Sequence, residues 1–310
     1  MKRILITGVS GFVGVNLVRH FSGQPGYQLY GHSRDRARAR QQFGNDKIEM
    51  VNEVSASLLD TMPIDGIIHL AGIAHDLDNR FQPEDYDKVN FECTKKVFDA
   101  FLESSASIFI FLSSIKAAVD ISNEPVSEEV VPHPVTPYGK SKLKAEQYIQ
   151  SRLRADKRVF IFRPCMMHGP GNKGNLNLLY RFVKTGIPFP FGAFENKRSF
   201  LSIDNFTFIT RQFLQNEMQP GVYHLADDGF ISTRELVVLI ATALGKRPRI
   251  WNVPKGLIAA VAALAGKKHK LTKLTEDLVV SNGKLSGSLR GDLPVALEAG
   301  IIKTIKSFRG

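Results

Sequence analysis

KRILITGVSGFVGVNLVRHF, residues 2–21, decides the fold. A short apolar strand from Ile4 to Thr7 leads into Gly8, Gly11 and Gly14, after which Leu17, Val18 and Phe21 recur at helical spacing. A strand, a glycine turn and a helix in this order make a dinucleotide fingerprint. Gly8 permits the tight turn, Gly11 lets the backbone approach a pyrophosphate, and Gly14 lets helix and strand pack closely. The amides that open the helix face the phosphates with favourable dipole sense. Working outward, strand-like runs at 3–7, 27–31, 66–70, 107–113 and 158–162 alternate with helical stretches. That alternation predicts an α/β chain built on a Rossmann-type, doubly wound parallel sheet.

A second stretch carries chemistry. In PYGKSKLKAEQYI (137–149), Tyr138 and Lys142 stand four residues apart and share one helix face. An unperturbed phenol titrates near pH ~10, and a cation held beside it favours the phenolate, so the pair predicts a lowered phenol pKa. FIFLSSIK (109–116) reads as a buried strand whose end presents the Ser114 hydroxyl to the same place. A hydroxyl, a tunable phenol and a lysine suit proton transfer at an alcohol–ketone couple. Taken alone, the Tyr–Lys spacing fits an ordinary amphipathic helix equally well.

Composition narrows the class. With 310 residues and 43% apolar content the chain can bury a full core. No apolar run reaches the ~20 residues of a spanning helix; the nearest, LIAAVAALAG (257–266), reads as a short packed helix. The first residues enter a strand directly, without a secretory pattern, and Cys93 and Cys165 form no disulfide framework or ligand-like spacing. Both features predict a cytoplasmic protein. The net charge of +11 admits nucleic acid, an anionic membrane surface, or phosphate-bearing ligands. RDRARAR (34–40) and KKHK (267–270) are basic clusters, but they lack interleaved aromatics and no nucleic-acid fold signature accompanies them.

Together the two motifs resemble the extended short-chain dehydrogenase/reductases, in particular the nucleotide-sugar epimerase/dehydratase branch. TGxxGxxG is met by Thr7, Gly8, Gly11 and Gly14, and the Ser–Tyr–Lys set by Ser114, Tyr138 and Lys142. HLAG (69–72), VNFECT (89–94), RPCMMHGPG (163–171) and NKRSFLSIDN (196–205) extend the likeness to about residue 245. SSIK, GNKGN (171–175) and the NKRS block look most like bacterial UDP-glucose 4-epimerase-like enzymes of surface-polysaccharide pathways. The resemblance implies a cofactor site of Thr7, Gly8, Gly11, Phe12, Val13, Gly14, Leu70, Ala71, Gly72, Asn90, Tyr138, Lys142 and Arg163, with Ser114, Tyr138 and Lys142 catalytic. It implies a UDP-sugar substrate, met by Asn175 and Arg198 at the diphosphate, and a homodimer formed by the helix after Asn90 and the Tyr138 helix. It also implies two lobes, a dinucleotide-binding lobe over 1–163 and a smaller substrate lobe over 164–310, with some later segments returning to the first. Lys116 is read separately as a contact to a substrate phosphate or hydroxyl, with a simple surface lysine as the alternative.

The choice of cofactor rests on the end of the second strand, YQLYGHSRDRARAR (27–40). NAD sites place a carboxylate there for the ribose hydroxyls, whereas His32 and Ser33 occupy it here. Arg34, with Arg38 one helical turn on, offers a guanidinium to a 2′-phosphate. The pattern favours NADP over NAD; a solvated basic face is the alternative, and Asp35 is a ribose ligand if the strand runs longer. Ile115 and Lys116 stand where dehydratases carry an Asp–Glu pair, which disfavours dehydration. An exchanging NADP inclines the reading to a sugar 4-ketoreductase, with a 4-epimerase holding NAD as its rival and a non-catalytic cofactor sensor a remote third.

Overall fold

The computed structural model describes residues 1–44, 47–74, 81–172, 174–266, 271, 272 and 275–308. Its central sheet contains β1 (Lys2–Thr7), β2 (Tyr27–His32), β3 (Glu49–Met50), β4 (Gly66–His69) and β5 (Ile108–Leu112). After β6 (Ser122–Val126), which lies apart, β7 (Arg158–Pro164) joins the sheet. Beyond β8 (Met166–His168) and β9 (Phe200–Ser202), which pair with each other, β10 (Gly221–Leu225) closes the edge, and β11 (Leu278–Val280) pairs with β6. The helices are α1 (Phe12–Ser22), α2 (Arg36–Phe43), α3 (Ala56–Thr61), α4 (Pro83–Tyr86), α5 (Cys93–Glu103) and α6 (Pro137–Gln150). They continue as α7 (Asn175–Thr185), α8 (Ile203–Gln215), α9 (Thr233–Ala243), α10 (Lys255–Leu264), α11 (Gly283–Ser288) and α12 (Leu297–Ser307).

The spatial order β3-β2-β1-β4-β5-β7-β10 is parallel throughout. Chain order reverses between β1 and β4, which opens a crevice at their carboxyl ends. Period-two alternation explains how the sheet is buried on both faces. Ile4, Ile6, Ile108, Ile110, Phe160 and Phe162 point into one core with α1 and α8. Leu5, Ile67, Phe109, Phe111, Val159 and Ile161 point into the other with α5 and α6. A third core joins α7, α9 and α12 through Tyr180, Ile240 and Ile301.

Helix starts follow side-chain capping. Asp35 accepts from Arg38 N at the head of α2, Thr136 from Gly139 N at the head of α6, and Ser232 with Glu235 forms a reciprocal box on α9. Residues 205–214 fall in α8, and YHLA (223–226) falls largely in β10. β10 completes the sheet beside β7 and α8 packs on α1, so these later segments lie against residues 1–163. The tail supplies β11, α11 and α12. KKHK lies outside the described residues. Cys93 and Cys165 are free thiols. Among the described residues no helix is long and apolar enough to cross a membrane.

Phe213 of α8 locks this late helix to the sheet. Its ring meets Phe160, Phe162 and Tyr223 nearly edge-on, at centroid distances of 5.0, 4.9 and 4.8 Å. Truncation of Phe213 to Ala should cost about 3–5 kcal/mol, read as a lower denaturant midpoint. A loss below ~1 kcal/mol would mean that α8 is not needed to hold β7 and β10.

Candidate active site

The glycine turn after β1 meets the turn after β4 backbone to backbone. Gly8 has φ +73°, and a Cβ there would stand 2.8 Å from Ala71 N. At Gly14 a Cβ would fall 2.6 Å from Val9 Cα, which would force α1 off its strand. Gly11 is the N-cap of α1 and brings no capping side chain, so the first amides of the helix stay open to an anion. Residues 7–14 and 70–72 therefore form a cradle of the shape a dinucleotide pyrophosphate needs, and the fingerprint residues fit that group. Phe12 lies against the His168–Gly171 loop, its ring 3.5 Å from where a Gly169 Cβ would project.

A proton-ordered chain supports this floor. Ala71 N donates to Thr7 Oγ1 (3.2 Å), which lies 2.8 Å from His69 Nδ1. His69 Nε2 lies 3.0 Å from Thr94 Oγ1, and Thr94 spends its hydroxyl proton on Asn90 O at 2.7 Å. Thr94 must then accept from His69 Nε2–H, which leaves Nδ1 to accept from Thr7. Burial, reinforced by the charge of Lys142, pushes the His69 pKa down to about 3, so the ring stays neutral. His69 is a packed strand residue, as its position in an apolar run predicts. Asn90 is fully buried in a π-helical turn (Asp87–Glu92); it accepts from Ile73 N at 2.7 Å and donates to Ile73 O and Ser141 Oγ.

Along α6, Tyr138, Lys142 and Glu146 stand at i, i+4 and i+8 on one face. Lys142 is 4% exposed, and its Nζ donates to Leu112 O at the end of β5 (2.8 Å). The ammonium lies 4.8 Å from the Phe111 ring centre. A Cβ on Gly72 would come within 3.2 Å of that ammonium, so Lys142 borders the cofactor cradle. Burial lowers the Lys142 pKa to about 8, against the opposing charge of Glu146. Tyr138, half-buried with its ring edge-on to Tyr86, hydrogen-bonds through its hydroxyl to Ser114. The expectation of an acidified phenol is not met. Burial pushes Tyr138 up to about 12, and the Ser114 hydrogen bond pulls back only part of that rise.

Glu146 is a buried residue of this face that the sequence reading did not single out. It is fully buried, accepts from Ser113 Oγ, and receives Arg163 Nε at 3.1 Å and Nη2 at 2.5 Å. The signal was available, since Glu146 continues the four-residue spacing of Tyr138 and Lys142. Arg163, expected at the cofactor, has its guanidinium buried against Glu146, with His224 Nε2 at 3.4 Å. Lys116, expected at the substrate, is ion-paired with Asp120 at 3.2 Å. Asp120 in turn accepts from Val135 N (2.8 Å) and Thr136 N, so this pair orients the start of α6.

The remaining predicted residues are spread around the crevice. Arg34 is exposed just past β2, where Ser33 bonds Ser10 Oγ (2.8 Å) and Asp35 is spent as the cap of α2. Asn175 is exposed at the first turn of α7, whose N-cap is Gly174. Arg198 is half-buried, donates to Glu276 O at 3.2 Å, and influences the Cys165 thiol beyond β7. Phe189 packs in the third core with Phe191, which meets Phe194 in turn; apolar packing accounts for the three rings.

Residues 4–226 match the NAD dependent epimerase/dehydratase family. A UDP-glucose 4-epimerase of Vibrio cholerae is 30% identical over 319 residues, covering 99% of this chain and 95% of that protein. A GDP-6-deoxy-D-mannose reductase of Pseudomonas aeruginosa is 27% identical over 252 residues, 77% of this chain and 79% of the reductase. In fold, the chain is similar to the UDP-glucuronic acid 4-epimerase of Bacillus cereus in complex with UDP-glucuronic acid and NAD: TM-score 0.78, 20% identity, covering 99% of each chain.

The Lys142 shift has a stability signature. With a folded pKa of about 8 and an unfolded value near ~10.4, the unfolded chain alone holds the proton between them. Stability should rise through that window as the cost of the buried charge, on the order of 3 kcal/mol, disappears. Urea unfolding of the wild type and Lys142→Met from pH 7.5 to 10.5 should show the wild type gaining on the variant. A difference that stays constant with pH would contradict the shift.

Proposed function

The chain belongs to the NAD dependent epimerase/dehydratase family, and from that premise we propose that it transfers hydride at hexose C4 of a UDP-sugar. The observation that carries the reading is the meeting of Ser114, Tyr138 and Lys142 beside the glycine cradle. Thr7, Gly8, Gly11, Phe12, Val13, Gly14, Leu70, Ala71 and Gly72 would hold the dinucleotide, with Asn90 behind them and Lys142 at the nicotinamide ribose. Bound there, the nicotinamide supplies the hydride acceptor or donor and, when oxidised, a positive charge. Tyr138 exchanges a proton with the C4 oxygen, and Ser114 hydrogen-bonds the same oxygen. A phenol near 12 is a weak base at neutral pH, so Tyr138 works as the base only once cationic charge has gathered around it. Lys142 is the chain's own source of that charge. Asn175, at the open N-terminus of α7, and Arg198 are the groups we assign to the diphosphate.

β2 ends at His32 and Asp35 is consumed in capping, which supports assigning Arg34 to the adenosine ribose. That arrangement favours NADP, an exchanging cofactor and therefore a 4-ketoreductase. The second reading is a 4-epimerase that retains NAD; it is supported by the name of the Vibrio cholerae relative, a UDP-glucose 4-epimerase. We further propose a homodimer through the outer faces of α5 and α6.

Tyr138→Phe should leave nucleotide binding within about twofold while lowering turnover of a UDP-4-keto-hexose or UDP-hexose by at least ~100-fold. Turnover close to wild type would remove Tyr138 from its role. Mass spectrometry of nucleotide released from purified protein separates the two readings. Weak retention with preference for added NADPH is expected, and stoichiometric, tightly held NAD would overturn the reductase in favour of the epimerase.

A further inference from the structure

Of the residues in α10, only Ile258 is buried. Leu257, Val261 and Leu264 are 58, 57 and 91% exposed, and their spacing places them on one stripe. Trp251 and Ile187, 62 and 58% exposed, belong to the paired segments that lead into the helix, where Trp251 N donates to Phe189 O at 2.8 Å. Soluble chains seldom leave such a row of large apolar side chains open without a use for it.

Along the sequence, the charge flanking this stripe has one sign. From residue 236 to 275 the sequence has no Asp or Glu and eight Lys or Arg. Lys246, Arg247 and Arg249 are exposed and share a groove with Ile187 and Phe189, while Lys255 opens the helix and lies 5.5 Å from the Phe194 ring. A second copy of this surface would bring like charges together, which opposes self-association. At 10 residues the helix is about 15 Å long, half the ~30 Å hydrocarbon thickness. It is therefore suited to lie along a bilayer.

We infer that α10, with Trp251 and Ile187, seats this protein on an anionic lipid surface. The apolar stripe enters the boundary between headgroups and acyl chains, and Lys246, Arg247, Arg249 and Lys255 meet the lipid phosphates. This docking is separate from the crevice chemistry and stands or falls without it.

The full chain carries a single tryptophan, so Trp251 reports binding directly. Vesicles of equal phosphatidylglycerol and phosphatidylcholine should blue-shift its emission and permit quenching by brominated acyl chains; pure phosphatidylcholine should give at least tenfold weaker binding, roughly. The triple variant Leu257→Ser, Val261→Ser, Leu264→Ser should lose the shift, and Lys246→Gln, Arg247→Gln, Arg249→Gln should weaken binding by about tenfold or more. Both sets lie on the surface, and unchanged circular dichroism and melting identify folded variants. No shift on anionic vesicles, or equal binding to neutral ones, would overturn the inference. So would light scattering that shows concentration-dependent self-association, abolished by the serine variant, without vesicle binding.

Discussion

A fully buried carboxylate, Glu146, ties the crevice edge together. It receives Ser113 from the end of β5 and Arg163 from β7, and it stands one turn beyond Lys142 on α6. Removing one partner from a buried pair leaves the other charge uncompensated, typically at a cost of about 3–5 kcal/mol, so helix and strands are held in one register. Glu146 also bears on chemistry: its negative charge raises the pKa of both Lys142 and Tyr138. It stabilises the Lys142 ammonium and opposes the Tyr138 phenolate that the proposed reaction would use. The site is built with a tension that added cationic charge relieves.

The same low polarity runs through the floor of the cradle. His69 is kept neutral between Thr7 and Thr94, and Asn90 spends its amide on Ile73 and Ser141. These groups hold geometry and carry no proton traffic of their own. Their hydrogen bonds are directional, so the glycine turn and the turn at Ala71 cannot slide past each other. Fixing two backbones this closely positions a cofactor before any substrate arrives.

The sheet was legible because its signals are local. Residues 2–21 state strand, turn and helix in order, and the apolar runs at 66–70, 107–113 and 158–162 need no partner to be read as strands. The place of β10 beside β7 was not legible, because strand neighbours are set by tertiary packing through Phe213 and Tyr223. Within the site, the residue types at 114, 138 and 142 were readable from spacing, whereas their electrostatics were not. Spacing places a cation near a phenol; only packing shows that desolvation outweighs the attraction. The partner of Arg163 was hidden for a related reason: an Arg in a motif is indistinguishable in sequence from one that answers a distant carboxylate, here Glu146, whereas Lys116 and Asp120 stand only four residues apart.

The central claim is that Tyr138 and Ser114 meet one sugar oxygen beside a bound nicotinamide. It is tested most directly by a crystal structure of the Tyr138→Phe protein soaked with dinucleotide and a UDP-hexose. The account predicts the C4 oxygen within hydrogen-bond reach of Ser114 Oγ, facing the residue 138 ring, with C4 over the nicotinamide. A sugar ring bound with C4 turned away from residue 138, or a nicotinamide lying outside the cradle of Gly8, Gly11 and Ala71, would contradict it.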